Sequence, residues 1–414
     1  MEIRDFIPKR FEKLAEQLNN NEAVILFSND PVHGVNRFEQ DKNFLYFTGL
    51  EIANARLVVV KNSDKLNSTL YIERNIPERI VWDGAKMYPE EATEISTIKN
   101  VQFTDLFEAN ITTIMAFNGV RKVYCNYQIG EMNKPLDSRL FFAEELKKRV
   151  PGIEVGDFTD IVRPLRQIKD EFELEQLQYA IDVTGQGLDE IFNYAEAGMF
   201  EFELEAMLYN EMLSSGFRFW GFTPIIASGK NAATLHYIDN DTEIDKDTMV
   251  LCDVGASSYG YSADITRTFP IGEKFTPRAK EVYQEVLAIQ KEIIEMIKPG
   301  VSMMQLNDKT NELITKACHK LGLIKEDSEF RKYYMHSIGH HLGLDTHDVG
   351  ARNSNLEAGM VITIEPGLYI PEESIGVRIE DDILVTESGY KVLSGAIPKE
   401  VSELEAIRKA SLHR

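Results

Sequence analysis

Residues 336–347 read HSIGHHLGLDTH, so four of the chain's eight histidines (His336, His340, His341 and His347) fall within twelve positions. Imidazoles at that density either pack as a hydrogen-bonded cluster or hold metal, and the placement of acidic residues bears on the choice. Asp253 follows Val-Leu-Cys and precedes Val-Gly. Asp264 stands eleven residues later, before Ile-Thr-Arg-Thr-Phe. Glu365 lies inside VITIEPG and Glu380 inside GVRIEDD. A carboxylate flanked by β-branched residues on a strand is costly to bury unless it is paired or metal-bound. Strand alternation lets such a side chain face a site while its neighbours pack. Any one of these acids alone reads as a helix cap or an ion-pair partner. Two Asp, two Glu and one His together make an oxygen-rich donor set that suits Mn²⁺, Co²⁺, Fe²⁺ or Zn²⁺ better than a thiolate-selective metal. Carboxylates can also bridge two such cations about 3.5–4 Å apart.

The elements that must position these groups follow from periodicity. Residues 1–155 read as an α/β domain. An amphipathic helix carrying Phe11, Leu14 and Leu18 leads into an apolar run at 23–27, with further strands at 56–60, 69–72 and 122–125. Pro151-Gly152 and the stretch to Pro164 read as a connection. Beyond about residue 170 come a long helix over 171–193 and a second over 202–214. Strands follow at 223–229, 249–256 and 261–270. Thr276-Pro277 opens another helix, a capping residue followed by proline, and Pro299-Gly300 stops it. A helix near 303–320, the histidine stretch, and strands at 361–367 and 376–386 complete the chain. Arg378, two residues before Glu380, is expected on the same strand phase, in reach of Asp264, Glu380 or a substrate carboxylate.

Bulk composition narrows the function classes. The 414 residues suit two domains. A formal net charge of −22 opposes binding to a phosphate backbone, so no nucleic-acid partner is expected. No apolar run approaches the ~18 residues of a membrane span. The charged start MEIRDFIPKRFEKL lacks an apolar signal segment, which points to a cytoplasmic protein. Cys125, Cys252 and Cys318 are odd in number and widely spaced, and read as reduced structural residues.

The ordered series TLHY, DVGA, SADITRTFP, HSIGHHLGLDTHDVG, TIEPG and VRIEDD, together with NFLYFTG at 43–49 and IPKEVSELE at 397–405, resembles the pita-bread metallopeptidases, in particular the Xaa-Pro aminopeptidases. The resemblance implies an α/β (α+β) chain. Residues 1–160 would form a creatinase/aminopeptidase P-like N-terminal α/β domain, and 165–405 a C-terminal pita-bread catalytic domain. It implies two divalent ions, Mn²⁺ foremost with Co²⁺ or Zn²⁺ as alternatives, held by Asp253, Asp264, His340, Glu365 and Glu380. Asp253 would bind one ion bidentately, Asp264 and Glu380 would bridge both, and His340 and Glu365 would complete the coordination of the second ion. His236, His336 and His347 resemble active-site histidines that touch substrate, and Arg378 an active-site arginine. His341 matches no ligand position and reads as packing or pocket lining; His33, His319 and His413 have no supporting pattern.

A metal-bridging hydroxide is then the expected nucleophile, with Glu365 moving its proton and His236 or His347 stabilising the oxyanion. Ser262 and Cys252 read as bystanders, and Tyr237 and Tyr259 as wall residues. Phe219-Trp220-Gly221-Phe222 is a candidate lining for a prolyl ring. The implied substrates are peptides with proline in second place, and the implied assembly is a homodimer or homotetramer. Two rival readings stand beside this one: a Xaa-Pro dipeptidase restricted to dipeptides, and a non-catalytic peptide-binding relative, against which the complete ligand set argues. Methionyl aminopeptidase usually lacks so large an N-terminal domain, and creatine hydrolysis on the same fold uses no metal.

Overall fold

A computed structural model describes every residue except 33–36, 64, 128–131, 134–136, 351–353 and 414; His33 lies outside the described residues. The chain separates into two compact units, Met1–Arg166 and Gln167–Arg414.

In the first unit a six-stranded mixed sheet runs in the order Val101–Phe103, Lys65–Ile72, Arg56–Asn62, Glu22–Phe27, Lys122–Cys125, Glu154–Asp157. Its centre is antiparallel, with Ile25 opposite Val58, and parallel neighbours extend it on both sides. One face carries Ile25, Val58, Tyr71 and Val123 into a core closed by Phe107, Ile111 and Met115 of the helix Phe107–Phe117. The aromatic run at 43–49 forms a buried helix, Lys42–Thr48, capped by Asp41, whose side chain accepts from the Phe44 amide at 2.9 Å. The stretch read as a connection holds more order than expected. It contains the sixth strand, Glu154–Asp157, and a helix, Thr159–Gln167, with Pro164 inside it.

In the second unit the order helix, helix, antiparallel strands occurs twice. Glu171–Tyr194 and Glu201–Ser214 precede a sheet of Ile225–Ser228, Met249–Val254 and Ile265–Pro270. Pro277–Glu295 and Met303–Lys320 precede a sheet of Val361–Ile364, Asp381–Val385 and Tyr390–Val392. Local chemistry sets the helix starts. Asp170 accepts from the Glu173 amide at 2.9 Å while the Glu173 side chain accepts from the Asp170 amide at 3.0 Å, and the Thr276 hydroxyl caps Ala279 ahead of Pro277. The tail helix Val401–Ser411 is anchored by fully buried Arg408, which donates to the carbonyls of Phe192, Ala195 and Ile271.

The strands break where the acids sit. Asp253 lies within a strand, but Asp264, Glu365 and Glu380 each fall in a gap at a strand end. Arg378 closes the strand Ile375–Arg378 and Glu380 lies beyond its end, so the two do not share one strand phase. A residue in such a gap is freed from the two-residue alternation and turns its side chain where the tertiary fold demands.

Candidate metal centre

Two antiparallel ladders bring the acids together. In the first, Asp253 sits opposite Thr266, two residues on from Asp264. In the second, Ile364 pairs with Asp381, so Glu365 and Glu380 flank the end of that ladder from opposite strands. The Glu380 amide donates to the Thr266 carbonyl at 3.0 Å and ties the two ladders to each other. The histidine stretch runs along Val361–Ile364: the Thr363 amide donates to the His340 carbonyl at 2.9 Å, and the Glu365 amide to that of Ile338 at 2.8 Å. Gly339 makes this close approach feasible, since a β-carbon there would stand 2.0 Å from the Thr363 carbonyl oxygen.

All nine residues singled out in the sequence, namely His236, Asp253, Asp264, His336, His340, His347, Glu365, Arg378 and Glu380, line one cavity of ≈ 1060 Å³. Ligand atoms of Asp264, His340 and Glu380 lie within 4.8 Å of one another, close enough to hold a metal ion. His340 Nε2 is 3.2 Å from Asp264 Oδ2 and 3.8 Å from Glu365 Oε1. Its other nitrogen, Nδ1, faces the His341 carbonyl at 3.0 Å. A proton on Nδ1 leaves the Nε2 lone pair directed at the acids, the arrangement a ligating histidine needs.

Electrostatics support a cation here. Burial, with the neighbouring charge of Asp253, pushes Asp264 up to about 6 against the pull of His340. Burial raises Glu365 to about 8, with Asp264 and Asp253 adding to the effect. Glu380 is driven well above the carboxylate range by burial and by the same acids. His340, although burial opposes its charge, is held at about 9 by Asp264 and Glu365. The Asp253 Oδ1 atom is buried without a hydrogen-bond partner among the described residues. Carboxylates crowded in this way cannot all ionise on their own account, and a divalent cation offsets both their repulsion and the orphaned oxygen. The oxygen-rich donor set therefore fits the metal that the sequence implies.

Arg378 departs from expectation. Its Nη2 lies 2.5 Å from Asp253 Oδ2, Nε donates to Thr266 Oγ1 at 3.0 Å, and Nη1 donates to the Tyr369 hydroxyl at 3.0 Å. Its hydrogen bonds connect to Glu380 through Thr266, whose hydroxyl donates to Glu380 Oε2 at 2.7 Å, and all three of its nitrogens are engaged. Arg378 thus holds Asp253 Oδ2, and the Oδ1 atom accepts no hydrogen bond among the described residues. Tyr369 continues the chain of bonds to His336 Nε2 at 2.9 Å, and His336 Nδ1 faces the Ser337 carbonyl at 2.8 Å. Burial and the Arg378 charge lower His336 to about 4, so it is neutral at pH 7. Thr266 and Tyr369 were not legible as site residues: a threonine in a strand and a tyrosine after Pro-Gly-Leu carry no chemical signature.

The remaining residues sort by position. His236 and His347 are exposed at the cavity, and the His347 ring stands edge-on to His340 at 4.2 Å. His341 is buried in the cavity wall, and among the described residues neither ring nitrogen finds a hydrogen-bond partner. Gly221 and Phe222 line the cavity, whereas Trp220 turns away to stack on Tyr209. Tyr237 bonds Glu201, and Tyr259 packs edge-on against Phe172. His319 and His413 pair with Asp327 and Glu273 at the surface.

A buried carboxylate–imidazole cluster at the seam of two antiparallel ladders, opening on a large cavity, defines a metal-dependent hydrolase. Comparison with known proteins makes the class specific. The profile of metallopeptidase family M24 matches residues 175–387, and that of the aminopeptidase P N-terminal domain matches residues 7–124. A Xaa-Pro aminopeptidase of Haemophilus influenzae is 32% identical, over 96% of this chain and 95% of that one. A Bacillus anthracis structure described as a candidate aminopeptidase P superposes with a TM-score of 0.95 at 39% identity, covering 99% of each chain. Aminopeptidase P of Escherichia coli with the inhibitor Pro-Leu gives 0.90 at 29% identity, again over 99% of each. The chain belongs to metallopeptidase family M24, with an N-terminal α/β domain of the aminopeptidase P type ahead of a pita-bread catalytic domain.

Proposed function

We propose that the chain is a metal-dependent exopeptidase that hydrolyses the bond between an N-terminal residue and a following proline. The observation that carries this is the convergence of an acid–histidine cluster on one cavity, in a chain similar from end to end to Xaa-Pro aminopeptidases. Asp253, Asp264, His340, Glu365 and Glu380 would hold two divalent ions. Bound there, such ions acidify a water toward neutral pKa and draw charge from the scissile carbonyl. Glu365, buried yet still partly accessible, takes the proton of the attacking water. It then delivers that proton to the departing prolyl nitrogen, which as an imide carries none of its own. His236 and His347, exposed at the cavity, offer N–H donors to the developing oxyanion. His336, its ring oriented by the Tyr369 hydroxyl and the Ser337 carbonyl, lines the cavity as a further histidine that contacts substrate. Arg378 holds Asp253 and, through Thr266, Glu380 in place.

The donor set favours Mn²⁺, with Co²⁺ or Zn²⁺ as alternatives. We assign 1–160 as the N-terminal domain, which shapes access to the site in a homodimer or homotetramer, and 165–405 as the catalytic domain. The three cysteines are buried and unpaired, which suits a reducing, cytoplasmic setting. Among the described residues no helix is long and apolar enough to cross a membrane.

The test is to strip the protein with chelator, restore Mn²⁺, Co²⁺ or Zn²⁺ separately, and offer a Xaa-Pro dipeptide and a Xaa-Pro-Xaa tripeptide with products read by mass. Metal-dependent release of the first residue from the tripeptide is expected. Turnover of the dipeptide alone means a dipeptidase, and none with any metal in folded protein removes the hydrolytic reading.

A further inference from the structure

His236 stands at the cavity on the loop 229–242, and among the described residues no hydrogen bond or ion pair holds its ring. Something else must fix where it points. Glu201, in the first turn of the helix Glu201–Ser214, is fully buried, and its carboxylate gathers donors from both arms of that loop. Oε1 accepts from the Ser228 amide at 2.6 Å, the Ser228 hydroxyl at 2.8 Å and Asn231 Nδ2 at 3.2 Å. Oε2 accepts from the Tyr237 hydroxyl at 2.6 Å and the Thr242 amide at 3.1 Å. The incoming arm is thus bound to one oxygen and the outgoing arm to the other.

Two further contacts limit the loop. One helical turn on from Glu201, Glu205 accepts from Asn240 Nδ2 at 2.8 Å, while Asn240 accepts from the Ile226 amide at 3.0 Å. Gly376 in turn lies against Ala232, where a β-carbon would stand 2.0 Å from the Ala232 carbonyl oxygen. Gly376 belongs to the strand that ends in Arg378. The loop therefore contacts both the helix that carries Glu201 and the strand that carries Arg378. Its residues from Thr234 to His236 lie beyond these anchors, and Tyr237 is the bound residue adjacent to the histidine.

We propose that Glu201 is a positioning residue for the peptidase reaction: it clamps both arms of the 229–242 loop and so sets the place of His236 at the scissile bond. The inference rests on the reading of His236 as a group that touches substrate. Glu201 lines no part of the cavity and acts only through the loop. A buried carboxyl group that accepts from five donors, one of them the hydroxyl beside His236, ties that stretch of chain at both of its oxygens.

The experiment is a double-mutant cycle on the metal-loaded enzyme with Glu201→Gln, His236→Ala and both, measuring kcat, KM, bound metal and Tm. Gln keeps the shape of the side chain but replaces one acceptor oxygen by a donor amide. Glu201→Gln is expected to lower kcat roughly 10- to 100-fold with bound metal unchanged, since misplacement of about 1 Å costs rate on that scale. His236→Ala should lose as much or more, and the double variant should fall no more than about threefold below His236→Ala alone. If the two losses multiply, Glu201 serves the enzyme by another route and the proposal fails. If His236→Ala is fully active, both the proposal and the assigned role of His236 fall. Tyr237→Phe, which removes one donor from the clamp, repeats the cycle should Glu201→Gln not fold. It is expected to show a smaller loss that also vanishes in the His236→Ala background, and persistence of that loss there counts against the clamp.

Discussion

The guanidinium of Arg378 and the carboxylate of Asp253, 125 residues apart in the chain, meet at 2.5 Å with both side chains almost fully buried. The same guanidinium holds Thr266 and Tyr369, and through them Glu380 and His336. One cation thus aligns two of the acids with one of the histidines. Arg378→Ala leaves Asp253 buried beside other carboxylates without this partner. Urea unfolding of the metal-free variant should show a loss of about 3–5 kcal/mol. Arg378→Lys keeps the charge but meets only one of the three partners, so it should fall between. An alanine variant with the wild-type midpoint would mean that the pair contributes nothing to stability.

Thr266 connects Arg378 to Glu380 with a single hydroxyl. Thr266→Val keeps the branched shape in a fully buried position and removes that hydroxyl. Outer hydrogen-bond partners of metal ligands typically account for about 10- to 100-fold in affinity. Competition with a chromogenic chelator should therefore show Mn²⁺ held that much more weakly, with Tm of the metal-free form lowered by only a few degrees. Unchanged affinity would exclude Thr266 from the support of Glu380.

The pH dependence has a definite sign. Without metal, burial with neighbouring acids keeps Glu365 at about 8 and Asp264 at about 6. Each stays protonated in the folded chain at pH values where the unfolded chain has lost its proton. Their contribution to stability is complete below the ordinary carboxylate range and is lost as pH rises through about 6 and then about 8. Ligation needs the deprotonated acids, so metal binding at neutral pH expels protons and strengthens as pH rises. The gain in Tm on adding Mn²⁺ should therefore be larger near pH 8 than near pH 5.5. Calorimetric titration in two buffers of different ionisation enthalpy should give different heats; identical heats would contradict proton release.

Gly339 is where the histidine stretch touches the strand Val361–Ile364. Gly339→Ala sets a β-carbon against the Thr363 carbonyl, and backbone on both sides leaves little room to yield. Overpacking of this kind costs about 1–3 kcal/mol and would displace His340. Turnover should drop far more than stability, as seen by comparing kcat/KM with the urea midpoint. Equal, modest losses in both would show that His340 keeps its place.

The cysteines offer a simple check on burial. Burial pushes Cys125 up to about 12 and Cys318 up to about 11, and raises Cys252 as well. A disulfide reagent at pH 8 should titrate three thiols in denaturant and almost none in the native protein. Rapid modification of the native protein would point to local opening.

The chemical types were present in the sequence, because a site that needs oxygen donors and imidazoles must spell them out. Asp253, Asp264, His340, Glu365 and Glu380 stand in apolar surroundings where such residues are costly without a purpose. Helices such as Glu171–Tyr194 and Pro277–Glu295 were readable too, since periodicity, capping and proline act within a few residues of chain. The strand breaks at Asp264, Glu365 and Glu380 were not, because the apolar pattern continues through them. Nor were the partners of Arg378, the relay through Thr266 and Tyr369, or the clamp by Glu201. Apart from the bond between Arg378 and Tyr369, nine positions apart, those contacts join residues 27 to 125 positions apart. They depend on ladder register and on which loop each ladder end meets, and no local pattern encodes that. The sequence by itself determined which acids and imidazoles are available for the chemistry; the tertiary structure decided which of them touch.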